Sequence, residues 1–566
     1  VAVLCLLLLL VAGSWNHDLW AYDEPREAEL ARAMWQSHNY AYTVLHEQAF
    51  LEKPPLFSAT VALVFSALGE ANVVAARLVA AAFALGTLVV TAWFARRELG
   101  GQAGLVAALV LATENRFFVA AHTLLLDNAL VFFTTAGIVA GFHATRTRRP
   151  GVAFLTGLAA AAAFLTKGVV GPSIMALVLG LDLAWRRDAR GALALLHPFA
   201  LLAFFVPALG YAALLDHAGG DRGREYLVEL FWHNQVGRFT GDLQQKSSDW
   251  NLYLRTWPEM LVPWTPLVLL ALFLPREKDR ATGVFLRVWA IAPLVALSFS
   301  QARSRFYALP VTPAYALILV GWWRSLAERE APPPGTLVHE SRVVERWVTL
   351  TLTVVAALAA TAVVAFVSWL AWQEPGALCG LAVAGAVLAV LAAAGLVFTL
   401  RSQPTSEATA LLVCLLVVAA ALVYSGKFFA LRGDARQSYR PLADEVWAQA
   451  KDRRLLLFHY NDSWSGTFPF YAGRSTPGFN ELGDPHGERL LEALGPATRD
   501  VVLAPTGALS WVDPVKRQDL VIEWQGERPY DRDKRSFVLF RRRLASEPAC
   551  DPIAGVGSAT HPRERP

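Results

Sequence analysis

Charge is scarce in this chain. Asp, Glu, Lys and Arg make up 17% of its 566 residues and hydrophobic residues 55%, with a mean hydropathy of +0.38. That balance excludes a string of soluble domains and points to a polytopic membrane protein. The net charge of +4 is too small over such a length to recruit nucleic acid. Cysteine is nearly absent. Cys5, Cys379 and Cys414 lie in apolar blocks and Cys550 sits near the end, which excludes a disulfide framework and shows no metal-ligand spacing. What the chain has in abundance is apolar blocks, up to about Phe429, after which residues 431–566 have the composition of a soluble domain.

A membrane-crossing helix needs roughly 20 apolar residues. Segments near 73–95, 102–121, 128–144, 151–166, 169–185, 192–214, 258–275, 284–300, 306–323, 348–372, 376–400 and 408–429 approach or reach that length, and with the start of the chain they make thirteen expected spans. Residues 1–13 are short for a span and open on valine, so the expectation there is either a literal start or a few missing residues. A signal peptide is the competing reading, but no A-x-A-like cleavage site follows the apolar run.

Lys and Arg accumulate in cytoplasmic loops. Here they form sets at Arg96 and Arg97; at Arg146, Arg148 and Arg149; at Arg186, Arg187 and Arg190; at Arg276, Lys278, Arg280 and Arg287; from Arg324 to Arg346; and at Arg401. The sets fall on alternate connections. That puts the amino terminus inside, and residues 14–55, 122–127, 215–257, 301–305 and the tail from 431 outside. The unusual polar residues Asp23, Glu24, Lys53, Asp127 and Lys167, the 220–250 loop and Arg303 to Tyr307 then all come out on the external face. A random scatter would divide them about evenly, so their agreement argues for one site there.

The first loop carries the densest charge. Asp23, Glu24, Pro25, Arg26, Glu27 and Glu29 open a stretch whose periodicity predicts a helix over 25–35, with Asp23 or Glu24 near the N-cap and an apolar face of Ala28, Leu30, Ala31, Met34 and Trp35. An interfacial helix lying on the membrane is the competing reading. It leaves Glu52-Lys53-Pro54-Pro55 unexplained, where the prolines forbid helix and present Lys53 at the membrane boundary. A lysine there can meet lipid phosphates or the phosphate of a substrate. Asp127, alone in an apolar run, requires a partner or water, and structural pairing with an arginine or lysine is as good a reading as a catalytic one. Lys167 in Thr166-Lys167-Gly168 reads equally as a plain outer-loop charge. Between Glu225 and Trp257, aromatic anchoring accounts for Trp232, Trp250 and Trp257 but not for His233 and Arg238.

In order along the chain, these motifs are Asp23-Glu24-x-Arg26-x-Ala28-Glu29, Glu52-Lys53-Pro54-Pro55, the isolated Asp127, Thr166-Lys167-Gly168, Arg238-Phe239, Val262-Pro263-Trp264 and Ser300 to Pro310. The set resembles the bacterial aminoarabinose transferase and protein O-mannosyltransferase-like membrane glycosyltransferases of GT-C type, over most of residues 1–430. The resemblance implies sugar transfer at the outer face of the bacterial inner membrane from an undecaprenyl or other polyprenyl phosphate carrier to a lipid, glycan or protein acceptor. It implies Asp23 and Asp127, with Glu24, as the carboxylates of the reaction, and Lys53, Lys167 and Tyr307, with Arg26, Arg238 and Arg303, as contacts of the donor phosphate. The family commonly has lysine where Arg303 stands, and a planar fork binds phosphate differently from a point charge.

The residue types suit that chemistry. A glycosyl carbon gains oxocarbenium character while its leaving phosphate gains charge, so cations are needed at the phosphate and a carboxylate near the attacking group. Asp23 is the first choice of general base for a hydroxyl acceptor. Two carboxylates can also hold a divalent cation, although no ligand spacing singles one out. The expected fold is mainly α: a transmembrane helical bundle over 1–430, an extracytoplasmic α/β domain over 431–545 and a disordered tail over 546–566. In the α/β domain, strands are expected at Leu455 to Tyr460, Val501 to Ala504 and Phe537 to Phe540, helices near 440–451 and 486–494, and a strand-to-loop turn at Tyr471 to Arg474. Two other functions compete. A transporter places its charges near the bilayer midplane in broken helices, often with internal repeats, and no repeat is evident. A noncatalytic scaffold gives no reason for cations and carboxylates to gather on one face.

Overall fold

The computed structural model describes residues 2–11, 14–15, 17–20, 23–101, 103–237, 249, 251–273, 280–300, 303–327, 414, 438–479, 484, 487–494, 499–527 and 536–544. The expected spans at 348–372 and 376–400, all of 408–429 except residue 414, the tail 546–566 and Arg238 lie outside these residues. The chain divides into two compact units, one of Val1–Asn16, Leu51–Phe57 and Arg77–Phe429, the other of His17–Phe50, Ser58–Ala76 and Ala430–Pro566.

In chain order the helices up to Ala327 are α1 (Ala2–Val11), α2 (Glu24–Ser37), α3 (Leu56–Leu68), α4 (Val73–Glu98), α5 (Ala103–Thr113), α6 (Asn115–Ala121), α7 (Asp127–Thr147), α8 (Pro150–Lys167), α9 (Val170–Arg186), α10 (Ala189–Leu195), α11 (Pro198–Gly219), α12 (Gly223–Leu227), α13 (Leu252–Met260), α14 (Thr265–Phe273), α15 (Arg280–Ser298) and α16 (Thr312–Ala327). A π-helix covers Val228–Gly237 and a 3-10 helix Arg305–Val311. Among the described residues, six helices are long and apolar enough to cross a membrane, or eight if each of two bent pairs is one span.

The first unit is helix on helix, with α7 packed on α8 and α9, α8 on α11, α9 on α15, and α5 on α16. Two expected spans are broken. Segment 102–121 bends by 77° between α5 and α6, and 258–275 by 112° between α13 and α14. The first break sits at Glu114, whose backbone is extended, and the Asn115 N–H leaves the helix to donate to the Val262 carbonyl at 2.9 Å. At the second, Pro263 has no N–H with which to carry a helix through the bend.

The second unit contains a five-stranded sheet in the order β4-β3-β5-β7-β6, formed by β3 (Leu455–Phe458), β4 (Gly478–Phe479), β5 (Val501–Pro505), β6 (Leu520–Glu527) and β7 (Ser536–Arg542). β3 runs parallel to β4 and β5, and β7 pairs antiparallel with β5 and β6. Successive side chains face opposite sides. Leu455 and Leu457 join Leu442, Ala443 and Val446 of α17 (Arg440–Ala450), whereas Leu456 and Phe458 join Leu490 of α20 (Glu488–Ala493) and Leu509. Both faces are covered, which is why the strands read as continuous apolar runs. Tyr471 to Arg474 differs from expectation. It ends α19 (Thr467–Ala472), which follows the short α18 (Asp462–Ser465), and Gly473 closes it in the left-handed conformation that caps helices.

A hairpin that the sequence reading lacks, β1 (Thr43–Leu45) and β2 (Gln48–Phe50), belongs to the same unit. Its two turn residues, His46 and Glu47, both have positive φ, at 54° and 65°. The turn is held from outside. His46 Nδ1 meets the Thr476 carbonyl at 3.1 Å, Gln48 donates to the Gly478 carbonyl at 3.0 Å, and Glu47 accepts from Ser475 and Arg454.

Candidate active site

In the second unit, α2 carries the acidic motif. It runs from Glu24 to Ser37 with Asp23 at its N-cap and Pro25 in its first turn, close to the expected 25–35. Its burial departs from the interfacial-helix reading, since Glu24, Arg26, Glu27, Glu29 and Arg32 are buried along with the apolar residues. The charges are satisfied internally. Arg26 donates to Asp23 at 2.7 Å and to Glu27 at 3.2 Å, Glu24 accepts from the Trp20 N–H at 2.8 Å, and Arg32 grips Glu29 with two bonds of 2.6 and 2.7 Å. Burial pushes the Glu29 carboxyl up to about 7 against the pull of the Arg32 fork. Burial also lowers His46 to about 4, opposed by its bond to Thr476.

In the first unit, Asp127 is the first residue of α7 and Lys167 the last of α8. A carboxylate at a helix N-terminus and an ammonium at a C-terminus each sit favourably in the helix field. Their side chains, 10% and 8% exposed, pair at 2.5 Å. The Lys167 ammonium also lies 4.5 Å from the centre of the Tyr307 ring, within cation–π range. The partner that an isolated Asp127 demanded is therefore Lys167, forty residues on.

Lys53, Lys167 and Tyr307 line one cavity of about 440 Å³, with Glu52, Asn234, Gln235 and Ser300. Apart from Ser173 the rest of its wall is apolar, and most of it comes from helix faces. Val170, Ile174 and Leu177 descend α9 on one stripe, Pro293 and Leu297 belong to α15, and Phe231 to the π-helix. From Val170 to Leu177 the stripe is about 10 Å deep. Lys53 lies 3.6 Å from Glu52. Arg303 is buried, and its guanidinium donates to the Ser298 carbonyl at 3.0 and 3.3 Å.

Behind Tyr307 stands a brace with no counterpart among the expected site residues. Arg116 pairs with Glu259 at 3.0 Å and lies 5.5 Å from the Phe306 ring centre, so the broken helix α5–α6 backs the 3-10 helix that carries Tyr307. No spacing in the sequence pointed to it. Of the expected residues, the structure thus gathers Lys53, Lys167 and Tyr307 about one cavity with Asp127 behind Lys167. It sets Arg303 on a helix-end carbonyl and carries Asp23, Glu24 and Arg26 on α2 of the second unit. Among the described residues, no group of three or more His, Cys, Asp or Glu side chains could hold a metal ion.

Long apolar helices around a cavity with lysines at its rim define a multi-pass membrane protein. A family model, dolichyl-phosphate-mannose-protein mannosyltransferase, matches residues 2–214. The undecaprenyl phosphate-alpha-4-amino-4-deoxy-L-arabinose arabinosyl transferase of Pseudomonas aeruginosa (strain LESB58) is 30% identical over 328 residues, covering 56% of this chain and 58% of its own. The protein of the same name from Pectobacterium carotovorum is 28% identical over 380 residues, 62% of each chain. The chain therefore spans less than two thirds of the length of these curated relatives. In fold, the crystal structure of ArnT from Cupriavidus metallidurans bound to undecaprenyl phosphate is similar over 96% of this chain and 98% of that one, with a TM-score of 0.72 and 20% identity. The resemblance carried by the motifs is borne out: the chain is similar to aminoarabinose transferases in sequence over part of its length and in fold over nearly all of it.

Proposed function

We propose that the protein is an integral membrane glycosyltransferase that moves a sugar from an undecaprenyl or related polyprenyl phosphate to a lipid, glycan or protein acceptor. The observation that carries this reading is the cavity in which Lys53, Lys167 and Tyr307 meet the apolar stripe of α9. A polyprenyl phosphate sugar has the matching halves, a long apolar chain and an anionic head, a monoanionic diester that becomes a dianionic monoester when the sugar leaves. As the bond from sugar to phosphate breaks, negative charge grows on the leaving oxygens, and preorganised cations favour that state over the ground state. Lys53 and Lys167 supply the charge and the Tyr307 hydroxyl a hydrogen bond. Asp127 acts by fixing the Lys167 ammonium. Asp23 is the carboxylate assigned to the acceptor, on the strength of the motif it opens, with Glu24 beside it. Arg26, Arg238 and Arg303 are secondary contributors of positive charge.

The arginine pattern supports an orientation with the amino terminus inside and the site and C-terminal α/β domain of 431–545 outside. The family resemblance supports the bacterial cytoplasmic membrane and assignment of the transferase to 1–430. The broken helices α5–α6 and α13–α14 are a trait shared with transporters, but the family and the fold favour transfer. In proteoliposomes supplied with sugar-labelled undecaprenyl phosphate donor, Lys53→Ala is expected to lower transfer at least tenfold, the scale of one lost charge-assisted contact. Undiminished transfer by the correctly inserted variant would overturn the assignment.

A further inference from the structure

Two neighbouring amides of the π-helix reach two different segments of the cavity rim. Asn234 Nδ2 donates to the Leu51 carbonyl at 3.1 Å, two residues before Lys53, and is itself held by the Glu229 carboxylate at 2.9 Å. Gln235 Oε1 accepts from the Val169 N–H at 3.2 Å, two residues after Lys167. Gly168, with φ of +69°, leaves open the space that the Gln235 amide fills, and any side chain there would collide with it. Upstream, Phe231 stacks on Phe164 of α8 at 5.7 Å and 6°, which fixes the π-helix to the helix that ends in Lys167. Such i→i+5 turns are rare and recur at functional sites. Here the turn lets consecutive side chains bridge the two lysine-bearing segments.

We propose that Asn234 and Gln235 are positioning residues that hold Lys53 and Lys167 at the spacing a lipid phosphate requires. On the other side of Lys53, Pro54 and Pro55 restrict the backbone. Lys167 is followed by a glycine whose turn has few constraints of its own. Each amide bonds backbone, so neither needs to touch the ligand. Both act through a lysine, and each through a different one.

This proposal rests on the phosphate reading above, and the test separates the two. The full-length protein in nanodiscs is titrated with undecaprenyl phosphate and with undecaprenol, and binding is read by thermal shift and by Kd. Asn234→Ala and Gln235→Met, the second keeping length while deleting the acceptor, are each expected to weaken phosphate-lipid binding roughly 3- to 10-fold, the scale of one hydrogen bond, with undecaprenol binding unchanged. Combined with the lysine variants, Asn234→Ala should add nothing to Lys53→Ala but its full factor to Lys167→Met. Gln235→Met should show the reverse, a crossed pattern that general loosening of the fold cannot produce. Wild-type affinity in both amide variants, or equal losses in every background, would overturn the positioning role while the phosphate reading stands. If the wild type binds undecaprenol as tightly as undecaprenyl phosphate, both fall together.

Discussion

Asp127 and Lys167 show how one residue's environment decides its meaning. A carboxylate in the apolar run from Leu124 to Phe133 is tolerable only with a partner, and the sequence could say that much. It could not say that the partner was Lys167, because helix pairing brings α7 and α8 together and nothing local does. Both groups are nearly buried, so removing either takes from the other its ion-pair partner. Asp127→Asn or Lys167→Met is expected to destabilise the protein by about 3 kcal/mol, and Asp127→Asn with Lys167→Met by much less than the sum. Thermal unfolding in detergent reads all three. Lys53 approaches Glu52 at the longer distance of 3.6 Å, so Lys53→Ala is expected to destabilise less than loss of the Asp127–Lys167 pair, and the same unfolding scan keeps its effect on transfer interpretable.

At the scale of elements, α2 was legible from its start signals and spacing, but its burial was not. Amphipathic spacing predicts a polar face in water or at a lipid surface. The Arg32–Glu29 and Arg26–Asp23 pairs instead let the charged side enter the second unit, against α18 and α19. The β1–β2 hairpin escaped for a different reason. Its turn lacks the Asn-Gly or Asp-Gly pair that announces such geometry, and contacts from Arg454, Ser475 and Thr476 hold His46 and Glu47 there instead. β6 was missed because its Leu520-Val-Ile-Glu-Trp-Gln-Gly-Glu run mixes polar residues into an edge strand, with a bulge between Ile522 and Trp524.

These two elements also set a pH response. Glu29, raised from 4.5 to about 7 in the folded chain, contributes stability that is full below pH 4.5 and lost as pH rises through 7. His46, lowered from 6.5 to about 4, contributes stability that is full above pH 6.5 and lost as pH falls through 4. Between 4.5 and 6.5 the two slopes oppose each other. Each amounts to roughly 3 kcal/mol over its whole window. The hydrogen-exchange stability of this unit should thus rise with pH from 4 to 6.5 in Glu29→Gln and fall from 4.5 to 7 in His46→Gln. Identical pH profiles in the wild type and both variants would contradict these burial effects.

Over the whole molecule, the sequence pattern located the apolar helices and put the unusual charges into short, recognisable motifs. Hydropathy averages over a window, so it read straight through Glu114 and Val262-Pro263-Trp264, where the helices break. It could not supply depth either. That Lys53, Lys167 and Tyr307 share a cavity floored by Ile174 and Leu177 depends on α8, α9 and α15 meeting in space. The decisive measurement is photolabelling of the membrane-embedded protein with a polyprenyl phosphate bearing a photoreactive group in its first isoprene units, followed by mapping of the modified residues. Labels are expected on the cavity wall, at Ile174, Leu177, Phe231 or Leu297, to be displaced by undecaprenyl phosphate but not by undecaprenol, and to fall sharply in Lys53→Ala. Labelling away from this wall, or equal displacement by the uncharged alcohol, would mean that the cavity is not a polyprenyl phosphate site.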